Sequence, residues 1–212
     1  MPDQILNNLS SFINNNQLLV GIILGWFITR VMEMIRKPNI TFKISDDRDF
    51  AKGTKTYKFL NIFVNNNQQS VFKKFFFGSS SINNARVWIR FLDFSSKTEF
   101  LKINGRWAST KEPVDYVTNQ PLIPEILLPS RDTIAPGEEA AVSIAIKESG
   151  EDAFFAFNND SYLHSWKYLD YELSEKKYWV EIKILSDGDE YIHEFLLTNP
   201  SRSLRNFKLL EK

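Results

Sequence analysis

Residues Gln17–Pro38 read QLLVGIILGWFITRVMEMIRKP, a stretch that begins oily and ends charged. Three readings compete for it: a membrane span, a signal peptide, and the core helix of a soluble domain. Leu18 to Ile28 is apolar throughout if its two glycines are counted, short of the about 20 residues needed to cross ~30 Å of hydrocarbon. The apolar face continues past Arg30, however, through Val31, Met32, Met34 and Ile35. Leu18 to Ile35 then spans roughly 27 Å as a helix, with Arg30 snorkelling toward headgroups. Glu33, three residues on, lies on the same helical face and partly neutralises Arg30.

A signal peptide needs positive charge before its apolar core, whereas Arg30, Arg36 and Lys37 all follow it. A buried helix would need burial inside a body that reads as β-structure. The expectation is therefore a single transmembrane helix over 18–37, preceded by a tail or interfacial helix over 1–17. In that tail Ile5, Leu6, Leu9, Phe12 and Ile13 share a helical face. Only Asp3 is charged on the N-terminal side, so the positive-inside rule keeps the Arg30, Arg36, Lys37 flank, and the C-terminal domain, in the cytoplasm. Trp26, Arg30, Glu33, Arg36 and Lys37 mark the expected membrane interface. Gly21 and Gly25 form G-x-x-x-G, a spacing that lets two helix backbones approach, and they are the candidate face for self-association into a homo-oligomer.

After Pro38 the period changes to two. Ile40, Phe42 and Ile44 alternate with polar residues, as do Leu60, Ile62 and Val64, and Val142, Ile144 and Ile146. ARVWIRFLDF, 85–94, is apolar on both faces, which suits a central strand. Asp187-Gly188 between two such runs predicts a hairpin. Further turns are read at Asn104-Gly105, Pro136-Gly137 and Ser149-Gly150. VFKKFFFGSSSINN, 71–84, reads as a short strand or a helical turn, and SYLHSWKYLDYELSEK, 161–176, as a short helix or a loop. Strands at this spacing, without intervening long helices, predict an all-β, immunoglobulin-like antiparallel β-sandwich over 38–212.

The order of NITFKISD, INGRWASTKEP, IAPGEEAAVSIAIK and FNNDSY resembles an uncharacterised group of prokaryotic proteins with an Ig-like domain, some of which carry an N-terminal membrane helix. The likeness covers most of 38–200. It implies a fold and brings no catalytic motif with it.

The net charge of zero shows no basic field, so no nucleic-acid partner is expected. With no cysteine, thiolate metal sites and cysteine nucleophiles are excluded. Two histidines, His164 and His193, stand outside any metal-binding spacing, and neither a P-loop, a G-x-G-x-x-G nor a G-x-S-x-G occurs. The acidic groups Asp46, Asp47, Asp49 and Asp187, Asp189, Glu190 read as soluble hairpin tips. No cofactor and no enzymatic activity is expected. The compositional excess is aromatic, 18 phenylalanines and five tryptophans, most of which must fill a core. Arg106 and Trp107, just past Asn104-Gly105, form a candidate recognition surface. The sequence thus points to a membrane-anchored scaffolding or binding protein with a lipid bilayer and a protein as partners. An effector whose clustered helices perturb the bilayer in response to a ligand is the alternative.

Overall fold

The computed structural model describes residues 16–45, 48–70, 72, 75, 78, 80–115, 117–118 and 120–212, with the Arg48 side chain excepted. The interfacial-helix expectation for 1–17 falls almost wholly outside these residues. The chain divides into two compact units, Met1–Pro38 with Gln69–Ser80, and Asn39–Gln68 with Ser81–Lys212.

In the first unit, helix α1 (Gln17–Arg36) has no buried residue. It stops where Pro38 forces its predecessor out of helical geometry, and Lys37 is extended at ψ 140°. The Gln69 carboxamide donates to the carbonyls of Ile35 and Lys37, at 3.4 and 3.1 Å, satisfying groups that the helix end leaves open. Phe72 and Phe75 have helical backbone; the rest of 71–77 lies outside the described residues.

The second unit is mainly β: two antiparallel sheets form a sandwich. The first sheet orders β1 (Asn39–Ile44), β3 (Lys55–Asn67), β8 (Glu139–Glu148) and β6 (Arg106–Trp107), with β2 (Arg48–Lys52) also on β3 and β9 (Phe154–Ala156) also on β8. The second orders β12 (Lys208–Glu211), β11 (Asp189–Thr198), β10 (Lys177–Ser186), β4 (Ile82–Asp93) and β5 (Glu99–Asn104), with β7 (Asp132–Ile134) also on β4. A short helix α2 (Ile123–Leu127) precedes β7. The 161–176 stretch is neither one helix nor plain loop. It enters two 3-10 turns, Asn159–His164 and Leu169–Tyr171.

Period-two alternation is visible in the burial. Leu60, Ile62 and Val64 of β3 face Val87, Ile89 and Phe91 of β4 and Val180, Ile182 and Ile184 of β10 across one inter-sheet core. β4 is central, flanked by β10 and by β5 with β7, as its two apolar faces require. The Asp187-Gly188 hairpin forms with both residues at positive φ, 46° and 86°, the geometry of a type I′ turn.

Two of the breaks in the simple alternation shape the site. Opposite Leu60 and Asn61 the β8 register skips Ile144, a bulge that leaves Ile144 and Ala145 both in the inter-sheet core and turns Ile146 to the outer face. Asn104-Gly105 is a crossing point instead of a hairpin turn. There the chain leaves β5 in one sheet for β6 in the other. Gly105 N–H donates to Val87 O at 2.8 Å, and a Cβ at Gly105 would meet Val87 Cγ1 at 2.7 Å. Only glycine lets the strands approach this closely.

Candidate functional site

The register of β6 on β8 separates two neighbouring residues. Arg106 pairs with Ser143 and Trp107 with Val142, so their side chains leave opposite faces of the first sheet. Trp107 points inward and is fully buried. Its indole N–H donates to Ala85 O at 2.9 Å, and its backbone N–H donates to Ser130 Oγ at 3.1 Å. It is therefore a core residue, and its assignment to a recognition surface is corrected: a two-residue strand that crosses between sheets carries every second side chain into the core.

Arg106 points outward, yet only 4% of it is exposed. It lies in a second apolar cluster on the outer face, built from Tyr57 and Phe59 of β3, Ile146 of β8, and Phe155, Phe157 and Trp166 beyond. The rings meet mostly edge to face. Phe59 lies 5.0 Å from Phe157 and 5.4 Å from Trp166, at interplanar angles of 86° and 76°, and Phe50 lies 5.6 Å from Trp166. Between them opens a concavity of about 320 Å³, walled by Phe50, Phe59, Phe157, Tyr162 and Trp166, with Arg106, Asn61 and Ser143 as polar groups and Asp49 and Glu112 at its rim. That volume falls at the lower end of small-molecule sites.

Arg106 is incompletely satisfied there. Nη2 donates to Thr110 O, and the guanidinium carbon stands 5.5 Å from the Tyr162 ring centroid. Nε is buried and has no hydrogen-bond partner among the described residues. Among the described residues no carboxylate pairs with it. A buried guanidinium with no carboxylate in direct contact is costly, and an orphaned buried donor calls for a specific cause.

The wall opposite is held under strain. Ser165 and Trp166 have positive φ, 50° and 76°, a region that bulky side chains seldom adopt and that costs about 1–3 kcal/mol. Trp166 N–H donates to Ser161 O at 2.7 Å, and Lys52 Nζ sits 3.9 Å from its ring centroid. The next residue, Lys167, anchors the wall to the sheet by pairing with Glu148 of β8, and with Glu151 at 2.7 Å, while Lys55 reaches Glu148 at 2.9 Å. Burial pushes the Glu148 carboxyl up, but the hydrogen-bonded Lys167 and Lys55 ammonium groups outweigh it, so its pKa lies below the usual 4.5.

On α1, the interface residues are all solvent-facing. Arg30 Nη1 donates to Glu33 Oε2 at 2.9 Å, the pairing expected from their spacing, and the Arg30 guanidinium stands 6.0 Å from the Trp26 ring. A Cβ built at Gly21 or Gly25 meets nothing within 4 Å, and the Thr29 hydroxyl one turn on donates to Gly25 O at 2.9 Å. The two histidines pack on rings: His193 stacks on Phe42 at 5.2 Å and His164 on Tyr168 at 4.0 Å. Among the described residues no group of three or more metal-ligating side chains is gathered.

No protein-family model matches this chain, and no curated protein matches it.

Proposed function

We propose that the chain is a single-pass membrane-anchored, non-catalytic binding protein whose β-sandwich works at the cytoplasmic face. The observation that carries the anchor is α1: 20 residues, none of them buried, with Leu18, Ile22, Ile23, Leu24, Phe27 and Ile28 each more than half exposed. Water would penalise such a surface by ~25 cal/mol per Å², and a bilayer removes the penalty. About 30 Å of helix matches the hydrocarbon thickness. The cytoplasmic orientation rests on Arg30, Arg36 and Lys37 following the apolar run, and the immunoglobulin-like character on sandwich architecture and strand spacing.

Binding is supported by the composition of the outer-face concavity: aromatic walls around the Arg106 guanidinium, the Asn61 amide and the Ser143 hydroxyl, with the carboxylates of Asp49 and Glu112 at the rim. The alternative reading, a bilayer-perturbing effector, draws on the open Gly21 and Gly25 face, which suits packing against a second copy.

Because the chain has no cysteine, single-cysteine labelling tests the orientation cleanly. Asp3→Cys is expected to react with a membrane-impermeant maleimide in intact cells, and Thr54→Cys only after permeabilisation. Reversed labelling overturns the cytoplasmic placement. Gly21→Leu with Gly25→Leu separates the two readings: unchanged partner binding and unchanged bilayer conductance support the passive anchor, and a lost conductance supports the effector.

A further inference from the structure

We infer that the outer-face concavity is a binding site for a monocarboxylate carried on a flat aromatic body, with Arg106 as the residue that receives the carboxylate. This rests on the reading of the sandwich as a binding module and is independent of the anchor.

The argument starts from charge. Arg106 places a permanent cation at 4% exposure with Nε unsatisfied, and its partners among the described residues are one carbonyl and the Tyr162 ring. A planar guanidinium answers a carboxylate with parallel N–H donors, so a ligand carboxylate entering the concavity would give Arg106 the directly paired counter-charge that no described residue supplies. Asn61 and Ser143 line the same floor and add hydrogen-bonding groups for the second carboxylate oxygen.

The charge is limited to one. Asp49 and Glu112 stand at the rim and are exposed, so every negative charge on a ligand meets like charges there, and a dianion such as phosphate is opposed more strongly than a monoanion. A cationic ligand, which an aromatic enclosure would otherwise favour, meets Arg106 in the floor and Lys52 already on the Trp166 ring. The body is set by the walls. Phe50, Phe59, Phe157, Tyr162 and Trp166 present ring edges and faces at centroid separations of 5.0 to 6.5 Å from one another, an enclosure that a further flat ring joins favourably. Phe50 is half exposed, at 51%, and is the wall that a ligand would cover. The strained Trp166 backbone is the kind of local cost that persists where the ring's position serves a ligand.

The shared chemistry has two sources, a free aromatic acid or the C-terminal carboxylate of a polypeptide that ends in an aromatic residue. Titration calorimetry on the full-length protein in a neutral detergent, with 3-phenylpropionate, N-acetylphenylalanine, the neutral 3-phenylpropionamide and inorganic phosphate, tests the assignment. At least one acid is expected to bind at one per chain, about tenfold or more tighter than the amide, with phosphate not competing. Tighter binding of N-acetylphenylalanine points to the chain terminus, and tighter binding of 3-phenylpropionate to a free acid. Arg106→Lys, which keeps the charge but loses the planar fork, is expected to weaken the acid about tenfold with unchanged circular dichroism, and Phe50→Ala to weaken it about threefold.

Equal binding of acid and amide, competition by phosphate, an Arg106→Lys protein that binds as the wild type does, or no binding of either acid each overturns the proposal. If Arg106→Lys does not fold, the acid-to-amide ratio of the wild type decides alone. A protein that binds neither acid yet floats with bilayers rejects this ligand class and leaves the anchor standing, and the reverse result rejects only the anchor.

Discussion

Arg106 and Trp107 are neighbours in sequence and belong to two aromatic clusters with opposite characters. The inner cluster, with Trp107, Phe91 and Tyr178, is closed: its large side chains are fully buried, the Trp107 indole N–H has a carbonyl partner, and the sheets seal it on both sides. The outer cluster has comparable rings but leaves Phe50 half exposed, encloses a cation, keeps one donor unsatisfied and holds Trp166 in a strained conformation. Aromatic content alone separates neither. What distinguishes the outer cluster is that it leaves an exposed ring, a concavity and a strained wall around its cation.

Substitutions that strike one cluster and spare the other put this contrast at risk. The largest expected effect is Trp107→Ala, which empties a fully enclosed volume and orphans the Ala85 carbonyl. A loss of about 3–5 kcal/mol in denaturant unfolding is expected, and a loss below ~1 kcal/mol would show that the inner cluster is not the closed core. Next is Gly105→Ala. Its Cβ would stand 2.7 Å from Val87 Cγ1, and the forced shift at the crossing point is expected to cost about 1–3 kcal/mol, read as a lower melting temperature.

The smallest is Glu148→Gln, which loosens Lys167 and with it the Trp166 wall. Because the folded carboxyl titrates below its usual 4.5, its stabilisation is present above about that pH and is lost as pH falls through the folded value. The wild type is therefore expected to lose about 1 kcal/mol more than the variant on acidification from neutrality to below that range. Parallel pH profiles for the two proteins would remove Glu148 from the account of the wall.

Much of the sandwich was legible in local pattern, because a half-buried strand must alternate and an Asp-Gly step favours positive φ at two successive residues. The extent of α1, expected over 18–37 and found over Gln17–Arg36, follows from apolar periodicity and Pro38. The outer cluster was not legible, since it gathers Phe50, Phe59, Arg106, Phe157 and Trp166 from across more than a hundred residues of sequence. The Ile144 bulge further reversed the facing of Ile146, which simple alternation places inward. One signal was present: TYKFLNIF, 56–63, carries Tyr57 and Phe59 on the face opposite Leu60 and Ile62, and rings on both faces of a strand imply a covering layer outside the first core. For Arg106 the sequence offered its place beside a glycine, and its partner Ser143 came only with the register.

The widest contrast in the molecule is between α1, apolar and with no buried residue, and a sandwich that buries its apolar residues in two clusters. In the proposed function a lipid bilayer covers this helix. Flotation of the full-length protein with phospholipid vesicles after an alkaline carbonate wash tests this most directly. The protein is expected to rise with the vesicles in full, as an integral span does. Recovery in the bottom fraction as a detergent-free, monodisperse species would contradict the anchor and the membrane-bound function built on it.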